Sequence, residues 1–264
     1  MTYAARLLDH PEPSGHFVQL YGEDDGLLIK NVARYLAEGL RRGDGLVVIA
    51  TPEHSEPIAR ELRQDRAYSR AVLEGCVVFL DAEATLAKLM VNDRPDPDRF
   101  EAVIAETVAR AQQRAGHSAV RGYGEMVGLL WKAGRFSDAV LLEGYWNRLL
   151  DSSNLRLFCA YPIDVFSPDY KVEKVDQVLC AHTHMLPVDD ALESALSQAM
   201  DEVLGARMLA LRGLMKANHR PSWGVVPKSE GIILWLRNNL PGTSEEILRL
   251  ARLYYQPAQL RATS

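Results

Sequence analysis

Three groups of side chains have types and spacings that could do chemistry. The first is the loop Tyr21-Gly22-Glu23-Asp24-Asp25-Gly26, which joins an apolar run to a helical pattern, where an α/β nucleotide-binding protein carries its phosphate loop. A phosphate cradle needs N–H groups opened by glycines, a Lys for the β/γ-phosphates and a Ser/Thr for magnesium. This loop presents three consecutive carboxylates instead, which stabilise a helix N-terminus and repel a triphosphate. The second group is Glu125, in Gly124-Glu-Met126, with Thr51 and His54 at the end of another apolar run. An acid at that point could position magnesium or water, accept a hydrogen bond from a ligand, or pair with Arg121. His16, just before the first apolar run, could be a general base, although a His at a strand start is more often a cap or a surface residue. The third is Cys180-Ala-His182-Thr-His184, whose Cys and two His would share one side if extended. Zinc takes such ligands, but one-residue spacings are unlike its structural sites and a fourth ligand is missing, so a satisfied strand terminus is the better reading and no metal or cofactor is expected. Nucleophilic catalysis has little support. Cys159 lies in an apolar run where burial would quench it, and there is neither a G-x-S-x-G elbow nor an H-E-x-x-H pair.

The elements that would position these groups follow from periodicity. Short β-rich runs at Phe17 to Tyr21, Gly45 to Ala50, Cys76 to Asp81, Ala119 to Tyr123 and Leu155 to Tyr161 alternate with helical patterns. Leu28, Val32, Leu36 and Leu40 make one helical stripe; Phe100, Val103, Ile104 and Val108 make another. The fold class expected is α/β, a mostly parallel sheet flanked by helices with a C-terminal helical appendage, and with ligand sites at the carboxyl ends of the strands. Those ends are Tyr21 to Asp25, Thr51 to His54, Asp81 to Thr85, Gly124 to Met126 and Tyr161 to Asp164. The loop Asn92 to Asp98 is polar and proline-punctuated, a surface connection more than a lid, before a helix capped near Asp98. Trp131, Phe136, Tyr145 and Trp146 make an aromatic helical surface that could line an apolar pocket, with core packing the plainer reading. Past Val175 the alternation stops. One long amphipathic helix runs from about Pro187 to Asn218, followed by a break at Pro221 to Pro227 and an apolar run at Ile232 to Leu236. A turn at Asn239 to Gly242 then leads to a helix capped by Thr243 or Ser244 with Glu246 placed for a capping box. Two domains are expected, residues 1–185 and 186–264.

Composition narrows the partners. A net charge of -5 without a basic stripe gives no case for nucleic acid or an anionic membrane surface. No apolar stretch is long enough to span a bilayer, and the N-terminal residues lack a signal-like apolar core. Cys76, Cys159 and Cys180 are odd in number and set in apolar runs, as reduced thiols of a cytoplasmic protein would be.

A set of segments, in order, resembles a known family. His16-Phe-Val-Gln-Leu-Tyr21, Glu38-Gly-Leu40, Ile49-Ala-Thr-Pro52, Arg121-Gly-Tyr-Gly-Glu-Met126 with Trp131, Leu142-Glu-Gly-Tyr145 before Asn147, and Leu157-Phe-Cys-Ala-Tyr161 are similar to the MEDS sensory domain over roughly residues 14 to 185. That resemblance implies a RecA/KaiC-like fold with a degenerate phosphate loop and a sensory or regulatory role beside histidine kinases and transcription regulators. This chain departs from the fused forms of the family in having neither a kinase core nor an obvious helix-turn-helix. The expectation is a non-catalytic signal-input protein whose ligand-facing set is His16, Tyr21, Glu23, Asp24, Thr51, His54, Glu125, Trp131 and Tyr161. A small molecule or partner held there would bias the loops, with output to a separate kinase or regulator. The rival expectation is a RecA/KaiC-like nucleotide binder or weak ATPase in which Lys30 or a neighbouring subunit's arginine replaces the missing lysine. A homo-oligomer paired through the long C-terminal helix is compatible with either.

Overall fold

In the computed structural model, residues 3–207 and 222–255 are described. They cluster into two units, residues 3–19 with 24–162, and residues 20–23 with 163–255.

The first unit is built on β1 (His16–Leu20), β2 (Gly45–Ala50), β3 (Val77–Asp81), β6 (Val120–Gly124) and β7 (Leu155–Tyr161), in the order β3-β2-β6-β7-β1. The strands β1, β2 and β6 are buried at every position. This is why β2 reads as an unbroken apolar run and not an alternating one, since helices cover both faces of a parallel sheet, while β1 carries His16 and Gln19 and β6 carries Arg121 as buried polar groups. On β3, at the edge, four of five residues are half-buried and Asp81 is exposed. The connecting helices are α1 (Tyr3–Asp9), α2 (Gly26–Arg42), α3 (Pro52–Leu62), α4 (Arg66–Leu73) and α5 (Ala82–Leu89). After the short hairpin β4 (Met90–Val91) and β5 (Arg94–Pro95), α6 (Pro97–Phe100) runs through a π turn (Glu101–Ala105) into α7 (Glu106–Arg114). Two more helices, α8 (Met126–Lys132) and α9 (Phe136–Ser152), precede β7.

Register does two things for function. Ile49 lies opposite Gly124, and Gly124 opposite Cys159, so β2, β6 and β7 end at one level and the residues that follow them emerge side by side. Side chains on successive residues then alternate between faces. Phe17, Tyr123 and Phe158 point to the face covered by α2, where Tyr35 meets the rings of Phe17 and Phe158, and Phe158 meets Tyr123, all edge-on at 5.7–6.4 Å. His16, Cys159 and Tyr161 point to the other face, against α9. Two close approaches fix the layers. Gly128 lets α8 rest on β7, since a Cβ there would lie 2.7 Å from the Ala160 carbonyl oxygen; at Gly39 on α2, a Cβ would meet the Arg121 side chain at 2.6 Å.

The second unit holds α10 (Val172–Ala181), β8 (His184–Leu186), α11 (Asp190–Leu204), a 3-10 turn (Gly205–Arg207), α12 (Lys228–Asn239) and α13 (Pro241–Tyr254). His184 bridges Val225 in parallel, and α11 packs on α13. Glu230 is fully buried on α12 and accepts from the Val188 N–H at 2.7 Å; burial pushes its pKa up to about 7.

Several expectations are corrected here. The Asn92 to Asp98 connection runs over the surface as expected, but as a hairpin pinned by the Arg135 to Asp93 ion pair and by Tyr145 Oη donating to the Pro95 carbonyl at 3.0 Å, and the helix cap is Asp96, two residues before Asp98. The long helix begins at Asp190 and ends at Leu204; its expected continuation from 208 to 218 lies outside the described residues, as does Pro221. The apolar run Ile232 to Leu236 is part of α12, and α13 starts at Pro241 in first-turn position, ahead of Thr243 and Ser244. Cys180 lies in the last turn of α10, so the Cys180 to His184 run is helix, cap and strand and not one extended face.

Candidate functional site

At the carboxyl ends of the strands, three loops meet in one hydrogen-bonded network. Thr51, Asp25 and Glu125 are the N-cap residues of α3, α2 and α8, each placed by the end of an apolar run before a helix. Glu125 is 3% exposed and its carboxylate is saturated. Oε2 accepts from Thr51 N at 2.9 Å and Thr51 Oγ1 at 3.0 Å; Oε1 accepts from Tyr123 Oη at 2.6 Å and His54 Nδ1 at 2.5 Å. The far ring nitrogen of His54, Nε2, donates to Asp25 Oδ2 at 3.0 Å. A ring that donates from both nitrogens to carboxylates is an imidazolium. Burial works against that charge, but the hydrogen bonds and charges of Glu125 and Asp25 outweigh it, and the His54 pKa is raised above its ordinary value. Two carboxylates and one imidazolium leave one negative charge. It lies towards Asp25, whose side chain is 43% exposed while His54 and Glu125 are buried.

A second buried network lies on the opposite face of the sheet. His16 Nδ1 donates to Asn147 Oδ1 at 2.8 Å, turning Nε2 towards Cys159 Sγ at 3.3 Å and Glu143 Oε2 at 3.4 Å. Tyr161 Oη donates to Glu143 Oε1 at 2.7 Å. Burial first, then the Glu143 charge, push both the Cys159 thiol and the Tyr161 phenol well above their usual range, so both keep their protons. His16 is therefore neither a surface residue nor a strand cap.

The structure thus sorts the expected residues into separate places. Thr51, His54 and Glu125 meet directly. Asp24, exposed, is turned to its own backbone and accepts from Gly26 N at 3.0 Å. His16 and Tyr161 share Glu143 on the other face, and Trp131 stacks edge-on to Tyr161 at 5.6 Å. Tyr21 and Glu23 lie in the segment grouped with the second unit, where Gly22 passes Asp164. The Glu125 to Arg121 ion pair does not form: Arg121 is buried under α2, pairs with Asp44 at 3.1 Å and donates to the Leu8 and Tyr35 carbonyls. Tyr145 and Trp146 are core, packed on Phe100. Sequence reasoning named Asp25 in the acidic loop but left it out of the ligand-facing set, and gave no site role to Tyr123, Glu143 and Asn147. A signal existed for Glu143: Ala139, Glu143, Trp146 and Leu150 form the buried stripe of α9, and a carboxylate inside an apolar stripe needs a partner.

Fold and site together define an α/β protein with a parallel sheet and a charged, hydrogen-bonded cluster where the strands end. Residues 15–183 match the profile of MEDS, the MEthanogen/methylotroph, DcmR Sensory domain. That is more than half of the chain, which belongs to this family of sensory domains. No curated protein sequence matches it. No helix among the described residues is long and apolar enough to cross a membrane.

Proposed function

We propose that this chain is a non-catalytic sensory protein in which a small molecule carrying a hydrogen-bond donor or a positive charge binds at Asp25, beside Asp24, Thr51 and His54. The observation that carries this reading is the single network running from Asp25 through His54 to Glu125, because it ties the loops after β2 and β6 to the start of α2. A ligand that competes for Asp25 loosens its hold on His54, and the change reaches Thr51 and Tyr123 through one carboxylate. That coupling gives the bound and free states different loop arrangements, which a sensor requires. The residual negative charge favours donors and cations and opposes phosphates; Lys30 is exposed on α2, a helical turn past the loop. A RecA/KaiC-like ancestry with a degenerate phosphate site is in keeping with the parallel sheet and this acidic loop. Residues 1–185 form the sensory domain in this reading and 186–264 its extension, with output to a separate histidine kinase or transcription regulator in the cytoplasm.

A thermal-shift titration of the full chain tests it, with panels of small amines, alcohols and amides against ATP-magnesium, since a ligand bound only to the folded state raises the melting temperature. A saturable rise with a donor-bearing compound, lost in Asp25→Asn, supports the reading. A rise with ATP-magnesium and none with the donor panel overturns it.

A further inference from the structure

The buried cluster on the α9 face has the dimensions, charge and supporting hydrogen bonds of a metal site. Three potential ligand atoms face one another there: His16 Nε2 to Cys159 Sγ is 3.3 Å, His16 Nε2 to Glu143 Oε2 is 3.4 Å, and Cys159 Sγ to Glu143 Oε2 is 4.0 Å. Tetrahedral zinc with bonds of about 2.3 Å to sulfur and about 2.1 Å to nitrogen and oxygen has ligand–ligand edges of roughly 3.4–3.6 Å. The triangle is therefore already close to metal-binding size. Hydrogen bonding around the ligands points the same way. His16 uses Nδ1 to donate to Asn147 Oδ1, which leaves Nε2 as the nitrogen facing Cys159 and Glu143, and Glu143 receives the Tyr161 hydroxyl on the oxygen turned away from His16. Metal-bound imidazoles and carboxylates are ordinarily oriented in this manner.

Charge gives an independent reason. His16, Glu143 and Cys159 are each 1% exposed or less. In such a setting the net charge of whatever occupies the site must be small. A divalent cation bound by one carboxylate, one thiolate and one neutral imidazole makes a neutral assembly.

We propose that His16, Glu143 and Cys159 bind a divalent transition-metal ion of the zinc type, with Asn147 and Tyr161 as positioning residues. Binding exchanges the Cys159 thiol proton for the metal: one S–H bond breaks, one metal–sulfur bond forms, and the proton leaves to solvent. No redox change is involved. The residues stand far apart in sequence and form no motif. The site is on the face of the sheet opposite the His54 network, so its metal content is measured independently of any ligand at Asp25.

The test uses the full chain. Metal content is measured as purified, and again after refolding with zinc or cobalt(II) and desalting. The expected result is about one equivalent per chain, and for cobalt a thiolate-to-metal charge-transfer band. Cys159→Ser abolishes that band, and Glu143→Gln and His16→Gln lose stoichiometric binding while circular dichroism shows each variant folded. Asn147→Ala keeps the band but weakens affinity by about 10–100-fold, as loss of an orienting partner does. Cys180→Ser, which removes an exposed thiol, changes nothing. The proposal is overturned if the refolded wild type holds no metal, or if the charge-transfer band survives Cys159→Ser or disappears with Cys180→Ser. A metal-free result would leave His16, Glu143 and Cys159 as a buried polar contact.

Discussion

Removing the Glu125 carboxylate isolates what the His54 network contributes. In Glu125→Ala the hydroxyl of Tyr123, itself 1% exposed, loses its acceptor, and His54 loses one of its two counter-charges. A stranded buried donor costs about 1–3 kcal/mol and breaking a buried charged pair about 3–5 kcal/mol. Thr51 is half-buried and can turn to water, and the desolvation of Glu125 itself is relieved, so the net loss is about 3 kcal/mol. For a unit of this size that lowers the melting temperature by about 6–12 °C. Glu125→Gln is milder, about 1–2 kcal/mol, because its carbonyl still serves Thr51 while the amide donates to a rotated Tyr123 hydroxyl. The pH dependence separates charge from shape. His54 has a raised pKa in the fold, so its stabilisation is complete below the unfolded value of about 6.5 and is lost as pH rises through the folded value. Urea midpoints followed by circular dichroism at about pH 5.5 and about pH 9 should fall further across that window in the wild type than in Glu125→Gln. Equal pH slopes in the two proteins, or a Glu125→Ala loss below about 0.5 kcal/mol, would refute the reasoning.

Three further outcomes follow from the geometry. Glu230 has a pKa raised by burial to about 7, so it favours the fold when protonated; that contribution is complete below about pH 4.5 and lost by about pH 7, and Glu230→Gln should be more stable than wild type at alkaline pH by about 3 kcal/mol in denaturant titrations. Gly39→Ala should lose about 1–3 kcal/mol, since the new Cβ would lie 2.6 Å from an Arg121 side chain pinned by two carbonyls and Asp44. A melting temperature equal to wild type would show that Arg121 can give way. Iodoacetamide on the native protein should label the exposed Cys180 and leave Cys159 unmodified, because burial keeps that thiol protonated; mass spectrometry of the peptides reads the difference, and native alkylation of Cys159 would contradict its burial.

Much of the scaffold was legible in the chain itself. Strand limits agree to within a residue or so, because a strand buried on both faces is mostly apolar and stops near the capping Asp, Thr or Glu that begins the next helix. The α/β class follows from the alternation alone, and Thr51, His54 and Glu125 could be placed at strand ends before any coordinates. In the C-terminal third the same reasoning weakened. On α12, Ile233, Leu234, Trp235 and Leu236 are buried in succession, and a short helix enclosed on all sides has no period to distinguish it from a strand.

The sequence by itself determined which runs are buried, where they end and which helices they alternate with, since these depend on polarity within a window of about ten residues. Tertiary structure alone decided the partners. His54 and Glu125 are separated by 71 residues, and His16 and Cys159 by 143. Only strand order and register bring Gly124 level with Ile49 and Cys159 and turn odd and even residues to opposite faces. Spacing along the chain carries no record of that pairing. A His, a Glu and a Cys can each be read as ordinary alone, and become a charged cluster or a metal-sized triangle only when the sheet places them within about 4 Å of one another.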